Sequence, residues 1–324
     1  MPSSRHCEER SNPLFRYSII PLFHYSIIPM ISSLHATNPK PDDKWMIAEL
    51  WQDVFHVSYE YLELFFNRIY NPENTFVIKR DQFIISALHV IPFDVKLNSK
   101  TIPCAYIYGA GTHPFERGCG HMRTLLNDVL MTLKERGYYA AFLIPAEPSL
   151  FNFYRLAGFD KYIYCRYETL DFCKPVSDGF EANHHYSFEP CTIAHFPYFD
   201  RKQHEQRCIV LHRAYDYETI IQDLALDGGG AYVALENNNP VGMAFVKKIS
   251  NDAIFIKSIL SDTPKIYTAL YRYANTLLNA HRLKIQIPLI GDKYVNRRQP
   301  YGLACILVNQ KLRIRYADIS LMLD

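Results

Sequence analysis

The 324-residue sequence has no C-x-x-C pair, no Gly-Lys dipeptide and almost no net charge. Each absence removes a class of function. Eight cysteines are scattered from Cys7 to Cys305 without histidines at ligand spacing, so no zinc module or disulfide framework is expected, and no metal. Reduced thiols in the cytoplasm are the simplest reading of that pattern. Without Gly-Lys there is no P-loop. The dinucleotide fingerprint G-x-G-x-x-G begins twice and fails twice: after Gly109 and Gly111 its third position is Pro114, and after Gly118 and Gly120 it is Arg123. With 35 Lys+Arg against 33 Asp+Glu, the formal charge of +2 asks for neither nucleic acid nor an anionic membrane. What is abundant is apolar and aromatic: hydrophobic residues make up 48%, and 24 Tyr and 20 Phe suit strands and aromatic-lined pockets.

The first thirty residues stand apart. "LFRYSIIP" at 14–21 is followed at once by "LFHYSIIP" at 22–29. A period of eight with a proline in each copy fits neither helix nor buried strand. The arginine, histidine and prolines also exclude a signal peptide or a spanning helix. Residues 1–44 are expected to be a non-native or disordered extension, the native chain beginning near Met30 or Met46.

From Lys44 onward the pattern is regular. Ile47, Leu50, Trp51, Val54 and Phe55 recur at helical spacing, and Tyr61 to Ile69 continue it after a break near Ser58. "TFVIKR", "FIISALHVIPFDVKL" and "IPCAYIYGAG" read as successive strands. A long helix carries Met122, Leu125, Leu126, Val129, Leu130 and Leu133 on one stripe and is capped by Gly137. "YYAAFLIPA" is a buried strand, "PSLFNFYRLAGF" a short helix closed by Gly158, and "KYIYCRYETL" a strand. "CKPVSDG", at 172–179, reads as a boundary. Beyond it come a hairpin, "AYVALENNNPVGMAFVKK", a strand, "AIFIKSIL", a helix, "PKIYTALYRYANTLLNAH", and strand-like "LKIQIPL", "ACILV" and "DISLMLD". The expectation is an α/β (α+β) protein of two tandem mixed-sheet domains, 45–170 and 175–324, the second a degenerate echo of the first.

"THPFERGCGHMRTLL", at 112–126, joins a strand to a helix through two glycines and an arginine. The first N–H groups of a helix lack partners and sit at its positive end, which makes an anion site. Gly118 and Gly120 let a phosphate approach the backbone, and Arg117 can add a charge-assisted contact. An ordinary helix start with loop glycines is the competing reading. Cys119 lies inside the same junction, but no base stands beside it in sequence.

These residues resemble the GCN5-related N-acetyltransferases, whose R-x-x-G-x-G/A segment holds the pyrophosphate of acetyl coenzyme A. Arg117, Gly120 and Met122 fall on its marked positions, Met122 departing from Gly/Ala. "SLFNFYRLAGF" resembles the family's F-Y-x-x-x-G-F segment at Phe153, Tyr154, Gly158 and Phe159. The likeness extends to the tandem-domain "enhanced intracellular survival" type, without its sterol-carrier-like third domain. It implies acetyl transfer to a primary amine by direct attack on the thioester. It also implies backbone around Ala110, Gly111 and Thr112 along the pantetheine arm. Gly118, Cys119, Gly120, His121, Met122 and Arg123 would hold the pyrophosphate, Ser149 would stand near the acyl end, and Tyr154 would be the general acid. The base stays open among His113, Glu116, Glu147, water and the terminal carboxylate at Asp324. The acceptor, a small molecule or a peptide amine, stays open too. A non-catalytic coenzyme A-binding or regulatory protein is the alternative.

Overall fold

Ile47, Leu50 and Trp51 form a buried stripe, and helix α1 (Lys44–Phe55) lays it against the sheet. The helix stops at His56, which adopts a left-handed backbone (φ 52°) and donates its N–H to Gln52 O at 3.1 Å. Ser58 then caps α2 (Tyr59–Arg68) by accepting from Tyr61 N at 3.1 Å. Strands β1 (Thr75–Arg80), β2 (Phe83–Leu97) and β3 (Lys100–Thr112) form an antiparallel meander that turns at Asp81 and Asn98, both at positive φ. Helix α3 (His121–Glu135) buries Leu125, Leu126, Val129 and Leu133 and brings the chain back as β4 (Ala140–Leu143), parallel to β3. The short α4 (Leu150–Leu156) and β5 (Lys161–Asp171) complete this half in the order expected from its sequence.

This computed structural model describes residues 34–171, 186–289, 298–309 and 317–323. The octapeptide repeat, the boundary at 172–179 and Asp324 lie outside the described residues. Residues 34–43, assigned above to the extension, are part of the fold. Thr37 exchanges both backbone hydrogen bonds with Val77 (3.0 and 2.8 Å), and Ala36 N donates to Asp128 Oδ2 at 2.9 Å. Asp43 is buried and pairs with Lys79 at 2.5 Å.

The second half opens with elements that the sequence reading did not assign: β6 (Tyr186–Pro190), α5 (Phe196–Glu205), β7 (Cys208–Leu211) and α6 (Ala214–Leu226). Helix α5 hides from apolar periodicity because two of its four buried residues are Lys202 and Gln203. Then follow β8 (Gly230–Glu236), β9 (Asn239–Ser250), β10 (Ala253–Ser261), α7 (Pro264–Leu277), β11 (Arg282–Pro288) and β12 (Gln299–Ile306). Three antiparallel strands lead through α7 into a strand parallel to the third, as they do through α3 in the first half. "DISLMLD" is not a strand. Asp318 makes an isolated bridge to Ile209, and the residues after it turn into the interior, where Ile319 to Leu323 are buried.

The twelve strands of the described residues belong to one sheet, in the order β1-β2-β3-β4-β12-β5-β11-β10-β9-β8-β6, with β7 added on β2. The last of these strands in the chain, β12, is inserted between β4 and β5 and runs antiparallel to both, while β5 pairs on its other edge with β11. Side chains of β3 alternate between two cores. Ala105 and Ile107 face α3 and α4, whereas Cys104 and Tyr106 face the side on which Val210, Ile319 and Met322 pack. Among the described residues, no helix is long and apolar enough to cross a membrane.

Candidate active site

Strands β3 and β4 pair over only three positions, Cys104↔Ala140 to Tyr106↔Phe142, although β3 runs on to Thr112. Past Tyr106 β3 runs on while β4 ends at Leu143, so among the described residues the β3 backbone on that side has no strand neighbour. The other edge of β3 stays bonded to β2 through a bulge: Ala87 faces Gly111 and His89 faces Tyr108, so Gly109 and Ala110 stand opposite Leu88 alone. Gly109 is required there. Its φ is +57°, and a Cβ would lie 2.3 Å from the Trp51 ring. Trp51 thereby fixes the bulge, in an aromatic group with Phe65, His89 and Tyr108.

Beyond the strand, His113 N donates to Ile85 O at 2.9 Å, and a turn over Pro114–Glu116 leads to Arg117, whose Nε donates to Thr112 O at 3.2 Å. Gly118 and Gly120 both adopt left-handed backbone (φ 81° and 83°), and Gly120 is the N-cap of α3. A Cβ on Gly118 would meet nothing within 4 Å, and one on Gly120 only Arg123 Nη2 at 3.9 Å. The glycines therefore leave open space beside the helix start, whose first N–H groups have no partner within the helix, and the Arg123 guanidinium borders it.

Several expected residues converge and others do not. Ala110 and Met122 pack on the same apolar cluster as Tyr154, which is buried on α4 between Phe153 and Phe159. Burial pushes the Tyr154 hydroxyl up to about 12, so it stays protonated. Ser149 is exposed at the start of α4 and donates to Glu147 Oε2 at 3.2 Å. Glu116 is engaged by Arg80 at 2.5 Å and His121 at 3.4 Å, and His113 faces Asp53 at 3.5 Å.

On the opposite face of β3, the sheet edge has a gap. β1 covers β2 as far as His89 and β7 covers it from Asp94. A cavity of 230 Å³ opens at this gap, lined by Arg68, Tyr106, His212, Asp216 and the chain end Leu321–Leu323. The chain end is held by two hydrogen bonds: Tyr106 Oη donates to Leu323 O and Lys257 Nζ to Met322 O, both at 2.7 Å. No local motif announces Trp51, Tyr106 or this tail. Only topology brings them to the site.

Comparison with known proteins bears on the first half directly. Residues 36–162 match the family model described as acetyltransferase (GNAT) domain. This stretch is a GNAT acetyltransferase domain. The fold of the whole chain is similar to that of three solved structures. One is a probable N-acyltransferase from Enterococcus faecalis, with TM-score 0.67 and 13% identity over 85% of this chain and 73% of that one. Another is a GCN5-related N-acetyltransferase from Anabaena variabilis, with TM-score 0.66 and 16% identity over the same shares of the two chains. The third is Eis1 from Mycobacterium abscessus, with TM-score 0.57 and 12% identity over 84% and 73%. No curated protein matches the sequence. Within the matched stretch, the end of β3 that has no β4 partner and the glycine loop follow one another in the chain, at 107–112 and 117–123.

Proposed function

We propose that the protein is a cytoplasmic, acetyl-coenzyme-A-dependent N-acetyltransferase acting on a primary amine. The observation that carries this reading is the junction at α3. Two left-handed glycines keep space open at the N-terminal end of α3, bordered by Arg123, just beyond the end of β3 that has no β4 partner. Acetyl coenzyme A, the cosubstrate, supplies an activated acetyl thioester. The backbone N–H groups of Gly118 to Arg123 hold its pyrophosphate, and Ala110, Gly111 and Thr112 offer their open backbone edge to the pantetheine arm. Cys119, His121 and Met122 contribute through backbone, and Ser149 borders the acyl end. Tyr154 keeps its proton at Oη, available to the departing sulfur as the amine nitrogen bonds to the acyl carbon. The amine enters from the 230 Å³ cavity on the other face of β3, and a water, His113 or one of the carboxylates named above takes its proton. The second half acts as a GNAT-like partner unit that shapes this acceptor cleft. Its repeat of strand, strand, strand, helix and parallel strand supports that role.

Acetyl coenzyme A should raise the melting temperature by linkage. Thiol release with a panel of amines reads turnover. Gly120→Asp places a carboxylate in the open space and Gly120→Asn a neutral group of the same shape, with the same backbone strain. Binding should be lost in the aspartate variant and only weakened in the asparagine one. Equal affinity in the two would remove the anion from this loop.

A further inference from the structure

Within six residues of that loop, Glu116, Cys119 and His121 bring a carboxylate oxygen, a sulfur and an imidazole nitrogen all within 4.8 Å of one another. A carboxylate, a thiol and an imidazole at 116, 119 and 121 match no zinc-module spacing. We propose that these three side chains form a binding site for a borderline divalent cation of the zinc kind.

Three observations support the site. The first is spacing. Glu116 Oε2 and His121 Nε2 are 3.4 Å apart. Zinc bonds of about 2.0–2.1 Å to oxygen and nitrogen at a tetrahedral angle set those ligands roughly 3.3 Å apart. That edge of the coordination polyhedron already has its ligated length. The sulfur must close in by about 1 Å at most to reach the roughly 3.6 Å that a tetrahedral zinc sets between sulfur and nitrogen. Cys119 is exposed and stands between two left-handed glycines, so its side chain can rotate inward.

The second is the direction of the donors. Arg80 donates to Glu116 Oε1 at 2.5 Å through Nη1 and approaches His121 Nε2 at 3.3 Å through Nη2. A guanidinium has no acceptor, so this contact forms in the tautomer that leaves Nε2 its lone pair, whereas a proton on Nε2 would point at Glu116 Oε2 instead. The nitrogen that would ligate a metal already faces a cation, together with the carboxylate. The side chain of Arg80 is half exposed and can withdraw into solvent when a divalent ion takes its place.

The third is ligand chemistry. Sulfur, imidazole and carboxylate together select zinc or cobalt over magnesium and calcium, which prefer oxygen alone. Three protein ligands leave a fourth position to water. The site does not depend on pyrophosphate binding, which uses the backbone of this loop while the ion uses its side chains, and an ion bound there would leave Glu116 unavailable as the general base. An Arg80–Glu116–His121 ion-pair network with no metal affinity is the opposing account.

The test is a Co²⁺ titration of the reduced full-length protein, followed by the thiolate-to-cobalt charge-transfer absorption in the near ultraviolet. One equivalent of Co²⁺ should develop the band, Zn²⁺ should abolish it, and Mg²⁺ should leave it unchanged. Cys119→Ser should remove the band, while Cys7→Ser should keep it. His121→Ala and Glu116→Gln should each weaken Co²⁺ binding by about tenfold or more. Melting temperatures establish that the variants fold. As a measurement free of Cys119 substitution, Zn²⁺ should protect Cys119 from iodoacetamide in the wild type and fail to do so in His121→Ala. Absence of the band, its survival in Cys119→Ser, or equal alkylation with and without Zn²⁺ would overturn the proposal.

Discussion

In the proposed reaction Tyr154 is the general acid, and its burial makes a separable prediction. Tyr154→Phe removes one hydroxyl from a ring packed against Phe153 and Phe159 and keeps the packing. Turnover should fall by about 10²–10⁴, the usual worth of general acid catalysis, with the acetyl coenzyme A affinity and melting temperature nearly unchanged. Near-wild-type turnover would pass the proton to water or another acid. Because burial raises the hydroxyl to about 12, its own titration should not cut activity below about pH 10. The buried histidines carry the opposite sign. Burial lowers His89 to about 3 and His212 to about 4, so both are neutral in the fold. Both lie below the ordinary value near 6.5, so the unfolded chain binds their protons first. The stability they contribute is complete above about pH 6.5 and is lost as pH falls toward the folded values. At pH 5 unfolding should take up about two protons at these sites. The check is the urea midpoint at pH 7.5 and pH 5, in the wild type and in a His89→Gln, His212→Gln variant. An equal drop in both proteins would show that other groups control acid stability.

At the scale of elements, legibility followed locality. Helix α3 could be read from Leu125, Leu126, Val129 and Leu133 because all four are buried at helical spacing, and the turns at Gly137 and Gly158 from glycine's tolerance of positive φ. The open glycine loop was legible for the same reason: strand end, loop and helix start are contiguous. Helix α5 was not, since Lys202 and Gln203 are buried by specific partners, Asp262 and Glu205 for the lysine and the His212 backbone for the glutamine. A hydropathy pattern cannot register that kind of burial. The segment 34–43 was missed too, because its attachment is made of hydrogen bonds rather than apolar periodicity. Asn38 Nδ2 alone donates to Thr75 O at 2.7 Å, besides the Thr37 and Ala36 bonds. A chain starting at Leu34 should keep its stability, whereas one starting at Met46 loses these bonds and the Asp43–Lys79 pair. At about 1 kcal/mol net for each hydrogen bond, the loss is on the order of 3–5 kcal/mol. Equal denaturant midpoints for the two chains would mean that this segment is decorative.

For the molecule as a whole, the sequence could show a repeated order of elements but not how the two copies share strands. Strand β12 follows β11 in sequence yet completes the first half, between β4 and β5, while β5 leaves the first half to pair with β11. Gly302 marks how tightly this exchange is built: a Cβ there would fall 2.7 Å from Ile319 Cδ1 and 2.9 Å from Leu143 O, touching the chain end and β4 at once. Neither half can therefore close its sheet alone. Removing β12 would leave the adjoining edges of β4 and β5 unpaired in the middle of the sheet, where each unsatisfied backbone group costs about as much as a lost hydrogen bond. The expected consequence is cooperativity. Scanning calorimetry should give one thermal transition with equal calorimetric and van't Hoff enthalpies, the signature of two-state unfolding. Residues 34–171 expressed alone should lack a cooperative transition. If instead the full chain melts in two steps and the 34–171 fragment reproduces the first of them, the halves are independent domains and the strand exchange contributes little to holding them.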